Sequence, residues 1–136
     1  MTLRDFVTTV LDTPFVEQGR SFDGLDCWGL VYLAYKHILN IELPTYINDY
    51  EIKDVRGTDR LGCLIRNRMQ NSWYLISTPK PMDVALFRIV GRPVHVALLI
   101  DKRRALHAES KVGTFIEHLN SPMWSKRLDG IYRYKQ

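Results

Sequence analysis

The spacing of hydrophobic positions changes character once along this chain, from a helical period in the first half to a strand period in the second. Leu3, Phe6, Val7, Val10 and Leu11 recur at three- and four-residue steps and predict a helix over residues 2–12 with one apolar face. Thr2 and Asp5 have capping-box spacing at its start, and Thr13-Pro14 ends it, because a residue before proline is pushed out of helical geometry. A polar, glycine-bearing loop runs to Gly24. Leu30, Val31, Leu33, Ala34, Ile38 and Leu39 then predict a half-buried helix that starts at Cys27 and stops before Pro44. Residues 41–57 lack a clear period and contain Pro44, Asn48, Asp49 and Gly57, so they read as a long, partly ordered loop. Leu61, Leu64, Ile65 and Met69 predict a third helix from Thr58 to about Gln70, with Cys63 as core filler inside it.

Beyond Trp73 the pattern becomes that of strands. Val84-Ala85-Leu86-Phe87 is a short apolar run behind Pro81-Met82-Asp83, and 94–101 (VHVALLID) is the strongest strand signal in the chain. The charged triplet Lys102-Arg103-Arg104 reads as a turn into a strand over 105–109, with further strands over 113–118 and 130–134. Helices first and antiparallel strands afterwards predict an α+β fold, with N-terminal helices packed on a C-terminal antiparallel sheet. At 136 residues the chain suits a single domain over 1–136, helical over about 1–72 and sheet over about 80–136.

Composition narrows the function classes modestly. The net charge of +4 comes from scattered lysines and arginines; no basic stripe with interleaved aromatics argues for nucleic acid. The same bias suits an acidic polymer such as cell wall. Two cysteines, Cys27 and Cys63, make no disulfide framework. The chain opens on an amphipathic pattern instead of a charged region followed by an apolar core. No run approaches the roughly 18 apolar residues of a membrane span. The expectation is a protein without a signal peptide or membrane insertion, made in the cytosol and carried outward, if at all, by another protein or a particle.

Candidate chemistry gathers at Cys27 and two histidines. A cysteine in the first turn of a helix sits among unpaired N–H groups and the positive end of the helix dipole, which favour its thiolate. Alternation puts His95 on the strand face opposite Val94, Val96 and Leu98. His107 follows twelve positions later across a tight hairpin, which brings the two rings near each other on adjacent strands. A thiol, a base and a group that orients the base form the arrangement of a cysteine hydrolase. Spacing alone also allows a small buried cysteine with two unrelated histidines. One thiolate and two imidazoles would suit zinc, although no CxxC or HxxxH spacing supports it.

Leu25-Asp26-Cys27-Trp28-Gly29-Leu30-Val31, Pro81 to Phe87, His95-Val96-Ala97-Leu98 and Leu106-His107-Ala108 resemble, in order, the motifs of the NlpC/P60 cysteine peptidases, over about residues 3–134. The resemblance implies a papain-like α+β fold, with Cys27 as nucleophile, His95 as general base and acid, and His107 orienting His95. It implies no cofactor and no metal. The substrates it implies are peptidoglycan stem peptides, typically cut between D-γ-glutamyl and a diamino acid. Tryptophan directly after the cysteine is most similar to members in tailed-phage tail-tip and tail-assembly proteins. That implies a virion location, tail-tip proteins as partners and a role in passage through the host wall. A structural tail-tip protein of the same fold with weak or lost activity is the alternative.

Departures from the family pattern fall beside the nucleophile. Phe15 stands where many members carry a tyrosine about twelve positions before the cysteine, and offers no hydroxyl. Met82 replaces the usual glycine of a Pro-Gly-Asp turn, and Trp28 replaces a small residue. Asp26, Trp28, Phe15 and Glu109 are the candidate substrate-side residues, with Asp26 also suited to cap the helix. Asp83 reads as fixing its turn, His37 and His118 as surface residues. Trp124, Arg127, Tyr132 and Arg133 read as closing the edge of the sheet.

Overall fold

A computed structural model describes residues 1–47, 67, 71–89 and 92–136. Helix α1 (Leu3–Val10) starts with the expected capping box, in which Thr2 Oγ1 accepts from Asp5 N at 3.0 Å and Asp5 Oδ2 accepts from Thr2 N at 3.4 Å. It stops two residues before the expected end. Asp12 N donates to Thr114 O across the fold instead of continuing the helical ladder. The loop to Cys27 contains two short antiparallel strands, β1 (Arg20–Ser21) and β2 (Gly24–Leu25).

Helix α2 (Cys27–Ala34) is buried on every side and not on one face only. Its apolar composition all round is what permits this, since such a helix has no polar face to keep in water. A π-helical turn, Tyr35–Leu39, prolongs it and ends at Asn40 in the left-handed conformation, φ 57°. Gly29 is dictated by packing, because a Cβ there would collide with the Gly19 carbonyl of the hairpin. Loop residues 41–47 are held against α2 by Trp28, whose Nε1 donates to Pro44 O at 2.8 Å.

The sheet has six antiparallel strands in the order β3-β8-β4-β5-β6-β7. These are β3 (Trp73–Ile76), β4 (Val84–Ile89), β5 (Arg92–Leu99), β6 (Arg104–Glu109), β7 (Gly113–His118) and β8 (Leu128–Tyr134). The sheet thus begins at Trp73, earlier than the expected residue 80. Exposed Tyr74 and Leu75 spoil the apolar alternation that would have marked β3. The last strand pairs on both sides, with β3 and with β4. The third helix expected over 58–70, and Cys63 within it, lie outside the described residues.

Alternation gives the sheet two faces. Val84, Leu86, Val96, Leu98, Leu106 and Ala108 join α1 and α2 in the main core. Ala85, Phe87, Ala97, Leu99 and Ala105 form a second cluster under Trp124. Asp83 fixes the start of β4 as expected: Oδ1 and Oδ2 accept from Arg133 Nε and Nη2 at 2.8 and 2.7 Å, and Oδ2 accepts from Lys80 N at 2.8 Å. Met82 takes the left-handed conformation at φ 76°, the geometry a glycine adopts without strain. Among the described residues, no helix is long and apolar enough to cross a membrane.

Candidate active site

Cys27 is the first residue of α2, and Asp26 is its cap. Asp26 Oδ1 accepts from Gly29 N at 2.9 Å and from Arg20 Nη1 at 2.8 Å, while Oδ2 accepts from Gln18 N at 2.9 Å. The Arg20 guanidinium also donates to the carbonyls of Gly19 and Thr45. A buried ion pair therefore ties together the loop before the cysteine, the helix start and the loop after it. Arg20 was not legible as part of the site, because its partners lie 6 and 25 residues away and no local period marks it.

The β5–β6 pairing covers Leu98↔Leu106 and Leu99↔Ala105, next to the hairpin turn. Where that ladder ends, the Val96 N–H is directed to the Cys27 thiol. The nucleophile thus lies against the residue that follows His95. His95 and His107 share the other face of the sheet, each beside a cross-strand phenylalanine, Phe87 and Phe115. His95 Nε2 and His107 Nδ1 are 3.0 Å apart, with ring planes within 12°. This contact occupies Nε2 of His95 and leaves Nδ1 as its other ring nitrogen. The two nitrogens face each other, not a common point, and among the described residues no group of three such side chains is arranged to hold a metal ion.

The site is closed and uncharged. Cys27, His95 and His107 are 4%, 5% and 1% exposed. Burial, then the Asp26 carboxylate, push the thiol up to about 12, against weaker help to the thiolate from Val96 N–H, Arg20 and Trp28 N–H. The acidified thiol expected at a helix start is therefore not found, because desolvation outweighs the dipole. Burial, His107 and Arg127 lower His95 from 6.5 to about 3, and burial lowers His107 to about 4. All three shifts favour the uncharged forms, a thiol and two neutral imidazoles.

These shifts predict how folding stability varies with pH. Below pH 6.5 the unfolded histidines bind protons that the folded ones refuse, so stability falls as pH drops toward 4 and 3. Above pH 9.0 the unfolded thiol ionises while folded Cys27 keeps its proton to about 12, so stability also falls as pH rises. Urea midpoints measured across this range are expected to show a plateau between the two limbs. The decline between about pH 8.5 and 9.5, below the ordinary tyrosine pKa of about 10, should shrink in Cys27→Ala; a decline of equal size in that variant overturns the assignment.

The other candidates divide. Phe15 forms a parallel bridge with Leu25, two residues before Cys27, and stands half-buried beside the helix start. Glu109 ends β6 on the face of His107, half-buried. Asp26 and Trp28 are fully buried. The first caps α2, and the second props the 43–46 loop and packs on Tyr46, ring centroids 5.3 Å apart. His37 and His118 are exposed, as expected. Trp124 was read as an edge residue, yet its indole lies on both imidazoles at 4.9 and 4.6 Å. Its distance from them in sequence left no signal.

Comparison with known proteins bears on the family and the fold. The sequence profile of the NlpC/P60 family matches residues 12–133. Murein DD-endopeptidase MepS/Murein LD-carboxypeptidase of Escherichia coli K12 is 26% identical over 115 residues, covering 85% of this chain and 52% of that protein. The chain thus spans about half the length of this curated relative. An NlpC/P60 protein from Bacillus cereus superposes with a TM-score of 0.69 at 22% identity, over 96% of this chain and 39% of that one. The NlpC/p60 domain of the peptidoglycan hydrolase SagA superposes with a TM-score of 0.64 at 14% identity, over 97% and 95%. The two superpositions speak to the fold.

Proposed function

The chain belongs to the NlpC/P60 family, and from that premise we propose that it is a cysteine peptidase hydrolysing peptidoglycan stem peptides. The observation that carries this reading is the 3.0 Å contact of His95 Nε2 with His107 Nδ1 beside a cysteine that opens a helix. With the His95 Nε2 proton donated to His107, Nδ1 is free to take the proton of Cys27. The thiolate then attacks the scissile carbonyl carbon, and backbone N–H groups at the start of α2 face the developing oxyanion. His95 passes its proton to the departing amine, which breaks the peptide bond and leaves a thioester. Water, deprotonated by Nδ1, attacks the thioester and releases the acid and the thiol. Because the resting pair is neutral, the proton leaves the thiol as the bond to substrate forms, not beforehand.

The bond we assign is that between D-γ-glutamyl and a diamino acid, and the place is a phage tail tip, where hydrolysis opens the host wall. Trp28 after the nucleophile supports the tail assignment. A second reading, a tail-tip or assembly protein with little activity, is favoured by the closed site and by Phe15, which lacks the hydroxyl of the family's tyrosine.

Mass spectrometry of stem peptides incubated with the wild type and with Cys27→Ala tests the reading. Crosslinked peptides and tetrapeptides belong in the panel, since MepS is named for DD-endopeptidase and LD-carboxypeptidase activity. New fragments from the wild type alone are expected, and their masses identify the bond. Cleavage by both proteins sinks Cys27 as nucleophile. Cleavage by neither favours the second reading, for which Cys27→Ala particles would remain infectious.

A further inference from the structure

Across the outer face of the sheet run Phe87, His95, His107 and Phe115, and Trp124 covers the middle of this row. Its indole lies nearly parallel to His95, centroids 4.9 Å apart at 21°, and is tilted on His107 at 4.6 Å and 33°. It meets Phe87 edge-on at 5.2 Å and 67°. Trp124 is 1% exposed and is held by its own backbone: its N–H donates to Ser121 O, and its carbonyl accepts from Arg127 N. The Arg127 guanidinium sits 5.5 Å from the indole ring.

A single contact between ring nitrogens would leave each imidazole able to turn about its χ2 torsion, which is broad for histidine. Flat partners packed against the rings restrict that freedom. His107 lies between Phe115, parallel within 10° at 5.3 Å, and the indole. His95 lies nearly parallel to the same indole, and Phe87 touches both rings, 5.9 Å from His95 and 5.2 Å from Trp124. One side chain from a distant segment therefore orients both members of the pair. It also offers a π-face to an imidazolium, the form His95 takes after accepting a proton in a site where water is excluded.

We infer that Trp124 is a positioning residue for the His95–His107 pair, its indole fixing both rings in the plane where their nitrogens meet and stabilising the transient imidazolium. The kinetic part of this inference rests on the hydrolase reading; the ring orientation does not. The charged and titratable groups acting on His95 are His107 and Arg127.

The test uses the full chain labelled with ¹⁵N-histidine, with the ring nitrogens followed by NMR during a pH titration. Trp124→Phe keeps a flat ring and Trp124→Leu removes it; urea denaturation establishes which variants are folded. In Trp124→Leu the single tautomer of each ring is expected to become a mixture. On stem peptides, kcat is expected to fall by up to about 10²-fold, the scale of a small misplacement of reacting groups, with KM little changed. Trp124→Phe should restore most of both.

Arg127→Gln, at an exposed residue, should raise the His95 titration midpoint without moving the urea midpoint. Trp124→Met, which fills the site without a flat ring, stands as the second measurement should Trp124→Leu fail to fold, and the same mixed tautomers are expected in it. Unchanged tautomers in folded Trp124→Leu, or a phenylalanine variant as damaged as the leucine one, overturn the inference. So do unchanged tautomers in folded Trp124→Met. Ring titrations that respond as expected in a protein that cleaves nothing would support the positioning role and remove the hydrolase reading. Cleavage with unresponsive rings would do the opposite.

Discussion

Asp26→Ala is expected to lower folding stability by about 3–5 kcal/mol, the usual consequence of breaking a buried ion pair from one side. The carboxylate is fully buried and its partner Arg20 is only 7% exposed, so solvent screens neither charge. Removing it takes away one charge partner and the acceptor for two backbone N–H groups, those of Gly29 and Gln18. The helix cap alone accounts for about 1 kcal/mol of this. Asp26→Asn keeps one acceptor oxygen and should fall between the variant and the wild type. The same change has a second, opposite readout. Asp26 is the nearest negative charge acting on Cys27, so Asp26→Asn should speed alkylation of the thiol at a fixed mildly alkaline pH. Urea midpoints and iodoacetamide rates on one set of proteins measure both. A stability loss under about 1 kcal/mol in Asp26→Ala would show that Arg20 finds equivalent partners and that the pair is not the tie described above.

His95→Ala is expected to lower kcat/KM for stem peptides by a factor on the order of 10²–10⁴, the span of general acid–base catalysis by a positioned side chain. The variant loses the acceptor for the thiol proton and the donor to the leaving amine together. His107→Phe is the informative companion. It keeps a flat ring against Phe115 and Trp124 but has no nitrogen to meet His95 Nε2, so it removes orientation and spares packing. Its loss should be smaller than that of His95→Ala. Steady-state rates of folded variants decide the matter. His95→Ala within tenfold of the wild type would remove His95 from the proton path. His107→Phe as active as the wild type would leave it as filler.

Much of this architecture could be read from the chain because its strands carry their own signal. Val94 to Leu99 alternates faces and is apolar at every position but His95, and the structure places Val96 and Leu98 in one core and His95 on the opposite face. The capping box of α1 was visible for the same reason, being complete within four residues. What could not be read depends on groups remote in sequence. The burial of α2 on all sides was legible in its eight residues, which include no charged side chain, but the 3.6-residue period draws attention to one face and hides it. The burial of the thiol could not be read, because the helix dipole is local and visible, whereas desolvation is set by the whole fold. Arg20 and Trp124 act through partners that only folding brings near.

The last strand has a consequence for biosynthesis. β8 lies between β3 and β4, so a nascent chain cannot join these two parts of the sheet until residues 128–134 have left the ribosome. Cys27 emerges about a hundred residues earlier, and Val96, whose N–H meets its sulfur, follows much later. During that interval the thiol is an ordinary exposed cysteine with ordinary acidity, open to oxidants and electrophiles that the finished fold excludes.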